Sequence, residues 1–366
     1  MRIPFWQRDQ AHPTKAIDRL QSGRAHRRLA GMFVAEDFSR IVASLVQVRG
    51  SGKHARFREI ESAEVELESS AVQLLQELRS HGNPLDSDLR FASLELASYQ
   101  THCFRELVAR SGTNRNDIIA LGVLDPGIQV VDFEEQSYTR SLTDANELAH
   151  RTGMNVIDRF QERDIADGGS GESILALGYW FLLGDRNPKV AEENRVLIRT
   201  GCETPFAILL PASDGLDATL PAVRKIPFDE KKGLSSDGNG DLPPEWLRLN
   251  WFQEDSFGDG LPWNLIIDLE KWANPLADRV AELKLQARVS TLGENGLQET
   301  SVDAVATAFL ANAFIDQLPA SLPDLTGNPN PRVLGSLTPG SMVNLRNLTL
   351  EISKVTPSIM KLRDAI

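Results

Sequence analysis

Ten consecutive residues, Arg163-Asp164-Ile165-Ala166-Asp167-Gly168-Gly169-Ser170-Gly171-Glu172, set acidic side chains beside three glycines just ahead of an apolar stretch at 173–183. Glycines at the mouth of a helix expose backbone N–H groups, so the chemistry open to this run is anion binding. A tight loop with an N-cap would use the same residues, and the sequence does not separate the two. A second run, Pro323-Asp324-Leu325-Thr326-Gly327 followed by Arg332-Val333-Leu334-Gly335-Ser336-Leu337-Thr338-Pro339-Gly340, reads as a proline-stiffened connection with a strand inside it. Gly50-Ser51-Gly52-Lys53 imitates part of a phosphate loop. However, Gln47 stands at the place of the first glycine, His54 follows the lysine instead of Ser or Thr, and no helix opens there, so a hairpin turn is expected. The six histidines are scattered, and His102 and Cys103, adjacent on a predicted helix, point in different directions. Zinc-type spacing and a Gly-x-Ser-x-Gly elbow are both absent.

The elements that must position these residues belong to a chain of 366 residues, enough for one large or two medium domains. A net charge of -12 argues against a general nucleic-acid binder, whose affinity rests on Lys and Arg. No apolar run approaches the roughly 20 residues of a membrane-spanning helix. Cys103 and Cys202 lie far apart, which suits a reducing cytoplasm better than a disulfide framework. The first residues lack the order of a secretory signal, and the basic cluster Arg24, His26, Arg27 and Arg28 reads as a solvated leader.

Residues 29–35, 41–49 and 55–65 are β-rich and separated by polar turns, predicting an antiparallel meander. Helical spacing follows over 71–80 and 86–111, with Gly82, Asn83 and Pro84 between them. Residues 118–123 have the length and composition of a buried strand, 142–151 are helical and 154–157 strand-like. The Gly-, Asp-, Pro- and Ser-rich stretch 229–260 reads as a surface excursion. Beyond it come strand, helix and strand at 265–267, 275–283 and 287–290, then the clearest amphipathic helix at 299–317. A Pro-rich stretch, 318–339, closes the body before a short tail, and no internal repeat is visible. A meander followed by α/β alternation predicts a mixed sheet covered by helices.

The two unusual runs together resemble the anhydro-N-acetylmuramic acid kinases of the actin/Hsp70/sugar-kinase superfamily. There an Asp-Phe-Arg element precedes Asp-Ile-Ala-Ala-Gly-Gly-Gln-Gly-Ala-Pro, and here Asp164 opens Asp-Ile-Ala-Asp-Gly-Gly-Ser-Gly-Glu-Ser. Asp144, Leu148, Ala149, Thr152 and Gly153 fall on family positions upstream, and residues 296–311 resemble its late helix. The Pro-x-x-Thr-Gly and Val-Leu-Gly-x-x-Thr-Pro-Gly elements are nearly intact, so the similarity runs, with a gap, from about Leu29 to Gly340. The resemblance implies an α/β, two-lobed actin-like (ribonuclease H-like) ATPase fold with an interlobe cleft. It places a basic N-terminal extension at 1–28, a first lobe at 29–153 completed by 333–366, and a second lobe at 154–332.

The departures are concentrated where nucleotide and proton would be handled. The family's Ser-Gly-Thr-Ser-x-Asp-Gly phosphate turn falls on Val34, Ala35, Glu36, Asp37, Phe38, Ser39 and Arg40, where charge and bulk oppose a phosphate. Its His-Gly-Gln-Thr element falls on Leu124, Asp125, Pro126 and Gly127, and its catalytic aspartate on Arg159, with Asp158 one residue away. A one-residue shift on a strand reverses the face, and arginine cannot act as a base at neutral pH. Residues 198–204 keep only Gly201 of a later glycine element, Asp214-Gly215-Leu216-Asp217 approximates a second phosphate turn, and Asp268-Leu269-Glu270-Lys271-Trp272 replaces the nucleoside loop.

The function expected from the resemblance is that of a divergent, non-catalytic relative retaining sugar or partner binding, with Asp144, Gly168, Gly169, Ser170, Gly171 and Asp303 near substrate. Each also has an ordinary explanation: an N-cap for Asp144, a loop for 168–171, an exposed helix face for Asp303. The alternative is an active ATP-dependent kinase converting anhydro-N-acetylmuramic acid to N-acetylmuramic acid 6-phosphate in bacterial cell-wall recycling. It would use Asp158 as base, Mg-ATP as phosphate source and Glu36 or Asp37 for magnesium. The first reading expects no cofactor and no metal. Its partner is a muramic-type amino sugar or a protein in the cytoplasm, with homodimerisation left open and neither nucleic acid nor membrane involved.

Overall fold

The computed structural model describes residues 26–80, 84–131, 137–186, 192–199, 206–212, 224–226, 262–321 and 323–355. The leader up to Ala25, Gly82 and Asn83, Cys202, most of the reduced glycine element, the 214–217 turn and the 229–260 excursion lie outside these residues.

Three strands, β1 (Arg27–Val34), β2 (Arg40–Arg49) and β3 (Arg56–Glu66), form the expected antiparallel meander. Helices α1 (Ser69–Ser80) and α2 (Asp86–Ser111) follow. Strand β4 (Ile118–Leu124) is buried at every residue, as a strand with parallel neighbours on both sides requires. Next come a small hairpin, β5 (Ile128–Val131) with β6 (Ser137–Arg140), then α3 (Ala145–Thr152), β7 (Val156–Asp158), α4 (Phe160–Ala166) and α5 (Ala176–Leu183). The chain continues through β8 (Asn194–Arg199), β9 (Phe206–Leu210), β10 (Arg224–Ile226), β11 (Trp263–Ile267), α6 (Ala273–Glu282) and β12 (Ala287–Thr291). It ends with α7 (Val302–Asp316), α8 (Pro323–Thr326), β13 (Ser336–Thr338) and α9 (Met342–Val355). Among the described residues no helix is long and apolar enough to cross a membrane.

Two compact units result, one containing residues 26–178 and 300–355 and the other 179–299. The larger holds a six-stranded sheet of order β13-β7-β4-β1-β2-β3, the smaller a five-stranded sheet of order β10-β9-β8-β11-β12. In each, the first strand pairs antiparallel with the second and parallel with the fourth, which pairs parallel with the next. The actin-like, ribonuclease H-like order is thus present twice, although no residue pattern repeats. The division falls at 178/179 and 299/300, not at the 153/154 and 332/333 boundaries expected. Strand β7 extends the larger sheet beside β4, and α7 packs on β1, β2 and β4, which carries both segments into the larger unit.

Helix α7 also differs from the amphipathic helix expected at 299–317. Thirteen of its fifteen residues are buried, because a helix apolar nearly all round must be enclosed. Its contact with the sheet is close: a Cβ on Gly31 would lie 1.9 Å from the Ala304 carbonyl oxygen and 2.4 Å from the Ala308 nitrogen. Phe309 meets Phe57 edge-on with ring centres 5.6 Å apart. At the end of the helix the buried Asp316 accepts Arg27 Nη2 and the Gly52 N–H, both at 2.6 Å. The 50–53 turn is therefore a structural corner, as its failed phosphate-loop pattern implied. On the other side of the sheet, Leu96, Phe104 and Leu107 of α2 join Met32, Leu45 and Leu121 in one core. Where a short tail was expected, α9 packs against β4 and α7. The smaller unit closes its own core with Val196, Ile198, Leu265, Ile267, Leu276 and Val280.

Candidate functional site

Parallel strands β4 and β7 end side by side, and their carboxyl ends are where open α/β sheets take ligands. Asp125 follows β4 and is buried. Its carboxylate accepts the N–H groups of Gly127 (2.8 Å), Leu142 (3.1 Å) and Thr143 (3.1 Å) and the hydroxyls of Ser141 (2.5 Å) and Thr143 (2.7 Å). So many donors make it an anchor for two loops rather than a free acid. The residue that the resemblance puts in the family's histidine element has a structural job here.

Asp158, the last residue of β7, is 1% exposed, and its Oδ2 has no hydrogen-bond partner among the described residues. Burial pushes its pKa up to about 7; Arg159 opposes the rise, while Glu162 and Asp125 add to it. Arg159 Nε lies 3.8 Å from Oδ2, outside hydrogen-bond range. Asp158 turns inward and Arg159 outward, although Arg159 is already past the strand, so the helix start and not strand alternation turns it out. Arg159 caps α4 at φ 54, a left-handed conformation that costs a non-glycine residue about 1 kcal/mol or more. One turn on, Glu162 accepts the Ser141 N–H at 2.8 Å, and burial raises its pKa against the opposing effect of that hydrogen bond.

Beside these strand ends lies a pocket of about 660 Å³ within the larger unit, lined by Arg159 and Glu162 but not by Asp158. Its apolar lining is Leu89, Leu142 and Ala145, all buried. Arg90 of α2, Arg140 of β6 and Tyr138 also face it. Asp144 is the one residue expected near substrate that lines it, and it does two things there. Its carboxylate caps α3 by accepting the Glu147 N–H at 3.0 Å, and it takes Arg90 Nη1 at 2.5 Å. Arg90, Arg140 and Glu162 were not anticipated. Glu162 follows Arg159 by three residues on α4, a spacing that brings side chains to one helix face, whereas the two arginines sit on elements remote in sequence.

Gly168, Gly169, Ser170 and Gly171 do not line this pocket. Their N–H groups are committed inside the protein: Gly168 to Ile165 O (2.9 Å), Gly169 to Asp164 O (2.9 Å), Ser170 to Thr326 O (2.7 Å) and Gly171 to the Asp164 carboxylate (2.9 Å). Fully buried Asp164 sits inside this loop, where its Oδ2 takes one loop N–H, and a Cβ on Gly169 would fall 2.1 Å from that oxygen. The expected anion site is thus filled by the chain's own carboxylate. Asp303, half-buried in the first turn of α7, does not line the pocket either.

The turn from β1 to β2 is equally self-contained. Ala35 N donates to Arg40 O (2.9 Å), Phe38 N to Ala35 O (2.9 Å) and Ser39 N to the Asp37 carboxylate (3.0 Å). Phe38, at φ 60, is completely buried, and Arg79 and Gln76 of α1 hold the carbonyls of Glu36 and Asp37. Among the described residues no three His, Cys, Asp or Glu side chains gather as a metal-binding group.

A protein-family model described as anhydro-N-acetylmuramic acid kinase matches residues 55–213 and 272–340. Curated relatives named anhydro-N-acetylmuramic acid kinase include one from Burkholderia thailandensis, 26% identical over 323 residues, which cover 68% of this chain and 82% of that protein. Another from Cupriavidus metallidurans is 24% identical over 315 residues, with the same coverage of 68% and 82%. The crystal structure of the Acidaminococcus fermentans (R)-2-hydroxyglutaryl-CoA dehydratase component A covers 77% of this chain and 99% of its own at 9% identity; its TM-score of 0.31 is too low to bear on fold or function. The family match spans more than half of the sequence, across both units. The chain belongs to the anhydro-N-acetylmuramic acid kinase family.

Proposed function

We propose that this chain is a non-catalytic member of its family, a cytoplasmic bacterial protein whose pocket binds a muramic-type amino sugar or a partner without transferring phosphate. The observation that carries the reading is that Arg159, which the resemblance places at the family's general-base position, lines the pocket while the neighbouring carboxyl turns inward. A guanidinium cannot accept the proton of a sugar hydroxyl at neutral pH. The β1–β2 turn supports the same reading, since Ala35, Phe38 and Ser39 have already donated their N–H groups and the Phe38 ring fills the core. A nucleotide phosphate does not fit there, and phosphoryl transfer depends almost wholly on such positioning.

A second reading, an active kinase with Asp158 as base, draws support from its unpartnered Oδ2 and a pKa of about 7, which suits a general base. The two separate in one experiment. Purified protein is incubated with Mg-ATP and anhydro-N-acetylmuramic acid and assayed for N-acetylmuramic acid 6-phosphate, in parallel with Asp158→Asn. No product above background is expected from either. Turnover by the parent that Asp158→Asn abolishes would establish the second reading instead.

A further inference from the structure

Helix α9 lies outside the family match, which stops at residue 340, and none of its residues lines the pocket. Its inner face fixes its rotation. Asn344 and Leu348 are buried, and Asn344 donates Nδ2 to the Ile118 carbonyl at 2.6 Å while its Oδ1 accepts the Asn155 N–H at 2.7 Å. The opposite face is thereby turned to solvent. There Met342, Arg346 and Leu350 follow one another at four-residue steps with Val343 beside them, which places all four on one stripe of the helix. Met342 is 80% exposed, Val343 56% and Leu350 54%. Apolar side chains gathered along one face in this way differ from the scattered single residues normal on a protein exterior, and such a stripe is what a partner covers.

The charge around the stripe says what kind of partner. Arg346, in its middle, is exposed and makes no hydrogen bond or ion pair among the described residues. Arg115 is exposed beside the start of the helix, where its Nη1 and the Ser341 Cβ both lie within 4 Å of a Cβ on Gly153, and it donates to the Thr152 carbonyl at 3.4 Å. Glu351, the one carboxylate of α9, is taken up by Lys354. The stripe is therefore apolar and cationic, on a chain whose net charge is -12. Two-fold pairing of two copies through stripes centred on Arg346 would press one guanidinium against the other. The chain's own residues 356–366 bring Lys361 and Arg363 against Asp364 alone, so they too are repelled. An anionic lipid surface would meet the whole acidic chain as well as the stripe, whereas a single helix meets the stripe alone. We infer that α9 is a docking helix for another protein, whose own amphipathic helix lays leucine-type side chains along Met342, Val343 and Leu350 and a carboxylate against Arg346. Complementary charge sets the orientation and the apolar stripe supplies the buried surface.

The probe is a fluorescein-labelled synthetic peptide of about 18 residues, long enough to populate a helix in water, with leucines at i, i+3, i+4 and i+7 and glutamates flanking them. It is titrated with the full chain and followed by anisotropy, beside a second peptide in which lysines replace the glutamates. The acidic peptide should bind at least about tenfold more tightly than the lysine peptide. Met342→Ser and Leu350→Ser should each weaken it by about fivefold or more, and Arg346→Glu should reverse the preference, so that the lysine peptide binds better. All three side chains are exposed, so melting temperatures without peptide should stay unchanged. Equal binding of the two peptides, or a preference that Arg346→Glu fails to reverse, would overturn the inference. So would each sign of another occupant: a dimer in light scattering that Leu350→Ser dissolves, acidic-peptide binding that appears only when Ile359, Leu362 and Ile366 are all changed to Ser, or retention on phosphatidylserine vesicles that Leu350→Ser abolishes. None of these variants touches the pocket. Failure here therefore leaves the non-catalytic reading as it stands, and phosphoryl transfer in the kinase assay would defeat that reading alone.

Discussion

At the scale of single residues, the buried carboxyl of Asp158 leaves a measurable trace in stability. Its carboxyl is protonated in both folded and unfolded chains below its ordinary pKa of 3.8, so it makes no difference to stability there. As pH rises towards about 7, the unfolded chain gives up the proton and the folded protein keeps it, so stability falls through that window and levels off above it. Asp158→Asn should therefore stabilise the protein by about 1–3 kcal/mol at pH 8 and hardly at all at pH 4, as read by urea unfolding. An equal effect at both pH values would mean that the carboxylate is solvated in the folded protein. Gly169 is the other telling position. A methyl there would meet the carboxylate of Asp164 at 2.1 Å, so Gly169→Ala should cost about 2–4 kcal/mol and lower the melting temperature. Gly168→Ala, with nothing within 4 Å but a φ of +95, should cost nearer 1 kcal/mol. If the loop were an external anion site with room to spare, the two substitutions would be about equally mild.

At the scale of elements, the decisive contact is α7 on β1. The Ala304 carbonyl belongs to a helix enclosed on all sides and cannot yield to a Cβ at 1.9 Å, so Gly31→Ala should destabilise by about 3 kcal/mol or more, whereas Gly52→Ala, in open space, is strained only by its φ of +54. Thermal melts of the pair would show it, and a tolerated Gly31→Ala would mean that the helix can shift on the sheet. What was legible in the sequence follows the same physics. Residues 86–111 were read as α2 without error because a helix of that length repeats its apolar period many times, and β4 declared itself by an unbroken apolar run. The four-residue strands of the β5–β6 hairpin are too short to show a period. The mostly small residues of α7 look amphipathic until Gly31 and Gly122, remote in sequence, admit the helix to the sheet. For the site, the family's glycine run was visible, but that Asp164 occupies it was not, because a sequence does not say which anion fills a loop. Arg90 and Arg140 were invisible as pocket residues, since α2 and β6 bring them beside Arg159 only in the fold.

At the scale of the whole molecule, the smaller unit occupies, among the described residues, one continuous stretch, 179–299, while the larger is split on either side of it. Every strand of the smaller sheet lies between Asn194 and Thr291, so it holds all its own pairing partners. The larger sheet is different: β1, β2 and β4 are covered by a helix that begins only at Val302, and its edge beyond β7 is completed by β13 at Ser336. On the ribosome this order matters. About 120 residues separate the two parts of the larger unit, which at 5–20 residues per second is roughly 6–24 s during which the apolar surface around Gly31 and Gly122 waits for α7. The smaller unit can finish within that interval, and the larger must remain soluble without its covering helix. Ribosome-bound chains stalled before residue 300 should therefore recruit trigger factor or Hsp70-type chaperones through the first 178 residues, and chains released past residue 340 should not. Crosslinking at successive stall points would follow this hand-over, and chaperone contact that ended before α7 emerged would show that the sheet protects itself by other means.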